Sequence, residues 1–446
     1  MRRWKKKLIL LLCLAAVGLM GCSTMEDMYC LPKRSQAFSD LQTAIDRAMG
    51  SSLQYSAPRS GDNQQSVQLA DLDGDGQEEA ILFARGSDDQ PLKILVFSCR
   101  DGHYELTDTV SAPGSSFDQV EYAQMDGKPG MEMVVGRQIS DQVVRNLAVY
   151  SFDGSVKLHM STNYTRFLVC DLNADRLTDL FVLHPGQEEM SQGETELYYF
   201  RDGKLEKSSV AQLSNPASSV HRLMTGNIHG GIPAVFAASL VPNQDAIVTD
   251  IYALVDGRYI NVSLSNDSGA SMQTLRNRYL YAEDIDEDGV VELPGLLMPD
   301  NPTAMEASVS EPHVIRWYAM TVHGVEVNKL YTFHCLEGGW YVELPLEVAV
   351  GARVIRGDGA GEPDAYIFYR VDPVTGVSEK LMTIYPFTGS DRAEQALSDN
   401  RFVLYRTASV TYAARLEGAS AAYGMTRDSL VGSFHMIHTD WKTGVT

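Results

Sequence analysis

The sequence predicts an all-β protein: a β-propeller of about six, or seven, four-stranded blades, with a short N-terminal helix and a small C-terminal strand and helix extension. Three observations predict it. An acidic loop recurs down the chain, an Asp-Gly hairpin turn recurs in step with it, and short apolar runs of strand character flank both. The elements below are taken in chain order.

Residues 1–21 read as a targeting segment and not as part of the fold. MRRWKKK is a basic opening, LILLLCLAAVGLM is a short apolar run, and the segment ends in Leu19-Met20-Gly21-Cys22. That ending resembles the lipobox of bacterial lipoproteins, which implies lipidation of Cys22. The mature protein is then held by its lipid anchor at the extracytoplasmic face of a bacterial membrane, with its body in water. No later run approaches the roughly 18 apolar residues of a membrane span.

The chain holds 37 Lys plus Arg against 58 Asp plus Glu, a formal net charge of -21, and five of those basic residues lie in the first seven positions. So acidic an exterior argues against nucleic acid or anionic headgroups as partners. Cys30, Cys99, Cys170 and Cys335 are too few and too scattered for a disulfide framework. They read as small buried hydrophobes.

Residues 22–60 form a tether and a short helix. In AFSDLQTAIDRAM, Phe38, Leu41, Ile45 and Met49 fall at helical spacing, and SAPRSGDNQQ ends the segment with turn formers.

Residues 61–395 are periodic. The first acidic loop is ADLDGDGQEEAILFA, residues 70–84, with Asp71, Asp73, Asp75 and Glu79 at offsets 1, 3, 5 and 9 and Gly76 at offset 6. Oxygens at alternate positions converge only where the backbone curls, and a hard cation such as Ca²⁺ favours such an all-oxygen shell. The apolar run AILFA after the loop reads as a buried strand. Further loop starts fall at Gln124, Asp171, Thr225, Asp284 and Arg356.

The second marker is the turn at Asp101-Gly102, Asp153-Gly154, Asp202-Gly203 and Asp256-Gly257, at intervals of 52, 49 and 54 residues. Asp-Gly between alternating apolar residues is a hairpin signal, because glycine supplies the positive φ that the turn requires. Each unit reads strand, loop, strand, strand, turn, strand, which is the size of one propeller blade. The fifth unit carries an insertion, expected over 300–325. In residues 396–446, RFVLYRTASVTYAARLE reads as strand, and GMTRDSLVGSFHMIHTDW reads as a capping helix with Thr426 as N-cap and with Leu430, Phe434 and Ile437 on one face.

The loops and their strands resemble the FG-GAP and VCBS repeats of calcium-binding β-propellers, over roughly three quarters of the chain. The resemblance implies Ca²⁺ at the propeller rim. Carried over by position, the first loop supplies Asp71, Asp73, Asp75, the Gln77 carbonyl and Glu79, and the fifth supplies Asp284, Asp286, Asp288, the Val290 carbonyl and Glu292. The third keeps Asp171, Asn173, Asp175 and Asp179, but Arg176 stands in the glycine position. The second, fourth and sixth lack the charge to hold a divalent ion. Two or three structural Ca²⁺ ions are expected.

No nucleophile elbow, zinc-protease motif, P-loop or paired C-x-x-C occurs in the sequence. His435 and His438 could share a helix face as metal ligands, and Trp317, Tyr318, Trp340 and Tyr341 could form a sugar-stacking surface. The bland readings, packed histidines and core aromatics, are commoner. The sequence therefore favours a non-enzymatic binding module for an extracellular protein, peptide or glycan. The alternative is a propeller polysaccharide lyase or hydrolase, which would gather His, Tyr, Arg and carboxylates at one mouth of the central channel.

Overall fold

The computed structural model describes residues 36–139, 144–186, 191–242, 244, 246–265, 267–276, 281–297, 314–357 and 364–437. Cys22 and the expected targeting segment lie outside them. The described chain folds as six antiparallel sheets in chain order, the blades of a β-propeller.

Blade one contains β1 (Gln54–Tyr55), β2 (Val67–Ala70), β3 (Glu79–Arg85), β4 (Leu92–Arg100) and β5 (His103–Ala112). Blade two contains β6 (Ser116–Ala123), β7 (Glu132–Gln138), β8 (Arg145–Phe152) and β9 (Val156–Tyr164). Blade three contains β10 (Arg166–Cys170), β11 (Asp179–His184), β12 (Glu194–Arg201), β13 (Lys204–Lys207) and β14 (Ala211–Gln212). Blade four is a meander of β15 (Val220–Ile228), β16 (Ile232–Leu240), β17 (Ile247–Val255) and β18 (Arg258–Asn261). Blade five is built on β19 (Glu292–Leu296), β20 (Val314–Met320), β21 (Glu326–Cys335) and β22 (Trp340–Glu343). Blade six contains β23 (Ala352–Arg356), β24 (Tyr366–Val371), β25 (Ser378–Phe387), β26 (Phe402–Arg406) and β27 (Thr411–Leu416).

Three of the four predicted turns take the backbone that their sequence requires; at the fourth, Gly154 (φ 71°) is left-handed but Asp153 is not, and the Asp153 N–H donates to the Ser155 carbonyl at 3.2 Å. Asp101 (φ 52°) with Gly102 (φ 80°), Asp202 (φ 51°) with Gly203 (φ 73°), and Asp256 (φ 49°) with Gly257 (φ 73°) are paired left-handed residues between third and fourth strands. Two consecutive positive φ values are what a tight hairpin needs to match strand twist.

The blades bury their faces on one another. Ile81, Phe83 and Ile94 of blade one share a core with Phe117, Val120 and Val135 of blade two. Val134, Leu147 and Phe167 link blades two and three, and Phe181, Val235 and Tyr252 link three and four. Phe236, Leu293 and Tyr318 join four and five, and Phe333, Trp340 and Phe368 join five and six. Each fully buried aromatic stabilises by roughly 2–3 kcal/mol. The other face of blade one is covered by α1 (Gln36–Met49), where Ile45 and Met49 pack on Ala80, Leu82 and Phe97. Asp40 pins this helix by accepting the Tyr104 N–H at 2.7 Å. Among the described residues no core cluster joins blade one to blade six.

Several expectations change. The insertion in unit five falls between β19 and β20, and residues 314–320 are strand where a loop was expected. The first strand of that unit is reduced to the bridge Glu283↔Glu292. In the C-terminal stretch, β26 and β27 both enter blade six, in the order β25-β27-β26. Thr426 does cap a helix, accepting the Ser429 N–H at 3.1 Å, but that helix ends at Gly432. The chain then forms β28 (Phe434–Met436), which pairs with β22 of blade five. His435 is therefore a strand residue bonded to Glu343 at 3.1 Å, and His438 lies outside the described residues. Strand pairing to Tyr341 and Val342 fixes this segment more firmly than its weak helical pattern could.

Candidate metal centre

The acidic loops join the first strand of a blade to the second, so they share one end of the propeller. Three of them hold the same backbone scaffold. The offset-6 N–H donates to the offset-1 carboxylate: Gly76 to Asp71 at 3.1 Å, Arg176 to Asp171 at 2.9 Å, and Gly289 to Asp284 at 2.8 Å. The offset-7 N–H donates to the offset-5 carboxylate: Gln77 to Asp75 at 2.7 Å, Leu177 to Asp175 at 2.8 Å, and Val290 to Asp288 at 2.9 Å. Such bonds wrap the loop around its own side chains.

The curl needs two left-handed residues, of which the offset-6 glycine is only one. Offset 4 is also left-handed, at Gly74 (φ 77°), Ala174 (φ 58°) and Glu287 (φ 56°). Arg176 meets the offset-6 requirement at φ 71°, so the third loop keeps its turn despite lacking glycine there. The strain is carried by an arginine, at about 1–2 kcal/mol.

The offset-9 acids are buried and hold the loop from beneath. One oxygen of each accepts the offset-2 N–H: Leu72 to Glu79 at 2.9 Å, Met125 to Glu132 at 2.8 Å, Leu172 to Asp179 at 3.1 Å, and Ile285 to Glu292 at 3.2 Å. Burial raises all four carboxyls, Asp179 to about 7 and Glu292 to about 8. The neighbouring aspartates add to the rise.

In the first loop, carboxylate oxygens of Asp71, Asp73 and Glu79 lie within 4.8 Å of one another, and in the fifth those of Asp284, Asp286 and Glu292 do. Ligands on opposite sides of Ca²⁺, each about 2.3–2.6 Å away, would be separated by about that much. The donor set and its spacing fit a calcium ion. Asp75 and Asp288 stand at offset 5 of the same loops. In the third loop offset 3 is Asn173, whose amide bonds Asp175 at 2.9 Å.

The two complete loops differ in their surroundings. Lys329 of β21 points its ammonium into the fifth loop, bonded to Asp288, 3.7 Å from Asp286 and 3.8 Å from Glu292 Oε1. That contact holds the Asp288 carboxyl below its ordinary range. Among the described residues no lysine or arginine forms an ion pair with Asp71, Asp73, Asp75 or Glu79. The second loop is bridged by its own Lys128, 3.1 Å from Asp126. The fourth loop is a three-residue turn, with Ile228 paired to Ile232. Its Asn227 serves the fifth loop, taking the Val291 N–H on its carbonyl at 2.8 Å and donating its amide to the Gly289 carbonyl at 2.7 Å. In the sixth, Arg356 pairs with Glu337 at 2.8 Å and Asp364 at 3.4 Å, and residues 358–363 lie outside the described chain.

Neighbouring loops are also bonded to each other. The offset-8 N–H of one reaches the offset-1 carbonyl of the loop before it: Met131 to Asp71 at 3.1 Å and Thr178 to Gln124 at 2.8 Å. Offset 4, these inter-loop bonds and Lys329 all escaped sequence reasoning. Lys329 lies 41 residues beyond Asp288, and no local pattern connects them.

At the opposite end of blades two and three a polar cluster forms. The Tyr164 hydroxyl donates to Asp118 at 2.5 Å, and Arg145 lies 3.4 Å from the same carboxylate. Arg166 stands in the field of both Arg145 and Asp118. The aromatics considered for sugar stacking are mostly core: Trp317, Trp340 and Tyr318 are buried. Tyr341 stacks between His334 at 4.8 Å and His435 at 4.9 Å. Cys170 and Cys335 are buried thiols whose pKa burial raises, and Cys99 is half-buried.

No family model matches the sequence, and no curated protein does either. Among solved structures, a rhamnogalacturonan lyase, YesW, is 14% identical, with 74% of this chain and 67% of that chain covered and a TM-score of 0.28. Sqt1 of Chaetomium thermophilum is 10% identical over 80% of this chain and 97% of its own, with a TM-score of 0.31. A protein from Lactobacillus plantarum is 12% identical over 73% and 86%, with a TM-score of 0.27. Similarity at this level carries no argument about activity.

Proposed function

We propose that this chain is a lipid-anchored extracytoplasmic β-propeller, stabilised by Ca²⁺ at its rim, that acts as a binding module for a protein, peptide or glycan outside the membrane. The observation that carries the reading is the first loop. It gathers Asp71, Asp73 and the buried Glu79 around one point, with no lysine or arginine paired to them among the described residues, and burial raises the Glu79 carboxyl. Clustered like charges splay a loop unless a cation joins them. The ion is structural in this reading, because the loop joins two strands of one blade at the rim and the ion would hold its carboxylates together.

The test is a thermal midpoint measured in chelator and in Ca²⁺. Chelation should lower it, and Asp71→Ala should remove part of the calcium increment. A midpoint indifferent to both treatments would sink the metal reading. For the anchor, Cys22→Ala should move the protein from the membrane fraction to the soluble one, and a variant that stays membrane-bound refutes lipidation.

The enzyme reading has one observation in its favour, the Asp118, Tyr164, Arg145 and Arg166 cluster at the end opposite the loops. Guanidinium groups beside a tyrosine and a carboxylate suit an anionic sugar. Depolymerisation of a uronate-containing polysaccharide by the purified protein, lost in Arg166→Ala, would establish that reading over the binding module.

A further inference from the structure

The first and fifth loops carry the same acids at the same offsets, and both gather three carboxylates within 4.8 Å. They differ in one built feature. The Lys329 side chain, about 20% exposed, crosses from β21 and sets its ammonium among Asp286, Asp288 and Glu292. Glu292 is fully buried, and its Oε1 faces this point with no hydrogen-bond partner among the described residues. The only cation beside that oxygen among the described residues is Lys329, at 3.8 Å.

We infer that Lys329 is a tethered counter-cation of the fifth loop that competes with Ca²⁺ for the Asp286, Asp288 and Glu292 oxygens. This inference rests on the reading of the loops as calcium sites. An ammonium and a calcium ion cannot share one set of oxygens. Ca²⁺ enters the fifth loop only when the lysine swings out, and its binding is weakened by the ion pairs given up. Among the described residues the first loop has no such competitor. The chain thus holds one site that fills at low calcium and a second that fills only at higher calcium, with the lysine neutralising the second in the interval. The second loop shows the same device in permanent form, with Lys128 at offset 5 paired to Asp126.

Calcium titration calorimetry on the purified whole chain tests this, using CaCl₂ on the wild type, Lys329→Gln, Lys329→Met and Lys329→Arg. The wild type should show a tight event removed by Asp71→Ala and a weaker one removed by Asp286→Ala. Lys329→Gln and Lys329→Met should tighten the weaker event about tenfold, the ratio that a few lost charge contacts would produce. Lys329→Arg, which keeps the charge, should behave as the wild type. In chelator, Lys329→Met should unfold at a lower temperature than the wild type, and added calcium should reverse that order. Equal affinities at both loops of the wild type, or a fifth loop unchanged by Lys329→Met, would overturn the inference and leave the calcium reading standing. No calcium uptake by any variant would overturn both together.

Discussion

The Met131 amide donates to the Asp71 carbonyl at 3.1 Å, so the second acidic loop is bonded to the first across a blade boundary. The contact is close enough to define which glycines are irreplaceable. A Cβ on Gly74 would stand 2.2 Å from Pro129 Cβ and 2.5 Å from the Gly130 nitrogen, whereas a Cβ on Gly76 would meet nothing within 4 Å. Both residues are left-handed, at 77° and 85°. Gly76→Ala should therefore cost only the backbone term, about 1–2 kcal/mol. Gly74→Ala should cost visibly more, because backbone must move. Urea unfolding of the two variants checks the order, and equal losses would contradict the packed seam.

Arg176 holds at φ 71° the position that glycine holds in the first and fifth loops. Arg176→Gly relieves about 1–2 kcal/mol of strain, offset by about 0.5–1 kcal/mol of added unfolded-state entropy. A net gain of about 0–1.5 kcal/mol is expected by denaturant unfolding. A loss of stability would mean that the arginine side chain contributes more than its backbone costs.

The metal-free protein should lose stability as pH rises. Glu292 has its carboxyl raised to about 8 and Asp179 to about 7, against an unfolded value near 4. The folded state holds these protons where the unfolded chain has released them. The stabilisation is complete below about pH 4 and is lost on passing through pH 7 to 8. Midpoints in chelator should fall across that window, and Glu292→Gln should flatten part of the fall. On the proposed reading of the fifth loop as a calcium site, added CaCl₂ should flatten it as well.

His334 works in the opposite direction. Buried beside Trp317 and Tyr341, it has its pKa lowered to about 3. Its neutral form favours the fold above pH 6.5, and the benefit is lost as acid drives protonation toward pH 3. Acid unfolding of His334→Gln should depend less steeply on pH between those limits than that of the wild type. The same slope in both would place the acid sensitivity elsewhere.

The periodic features were legible because they are local. Asp-Gly turns and alternate acids announce the backbone they require within a few residues, so the spacing alone groups Asp71, Asp73 and Glu79. Arg176 shows the limit of that grammar: a residue with the wrong propensity takes the left-handed conformation when Asp171 and Asp175 accept enough N–H groups around it. Lys329 and the inter-loop bonds were illegible for another reason. They join residues of different strands or blades, and neither partner carries a pattern that points to the other. The HMIH stretch failed similarly: Phe434 and Ile437, three apart, match helical spacing, and the strand pairing that overrides it joins residues as far apart as Tyr341 and His435.

The placement of β28 bears on how the molecule is made. Met436 pairs with Trp340, and the whole of blade six lies between them in sequence. Blades one to four can each close on residues that directly follow one another, but blade five cannot finish its hydrogen bonding until the sixth has been laid down. The last two blades thereby share hydrogen bonds across a long sequence separation, which adds to the entropic cost of closing blade five. Until then β22 presents an open strand edge to solvent, and whatever delays the end of the chain prolongs that exposure.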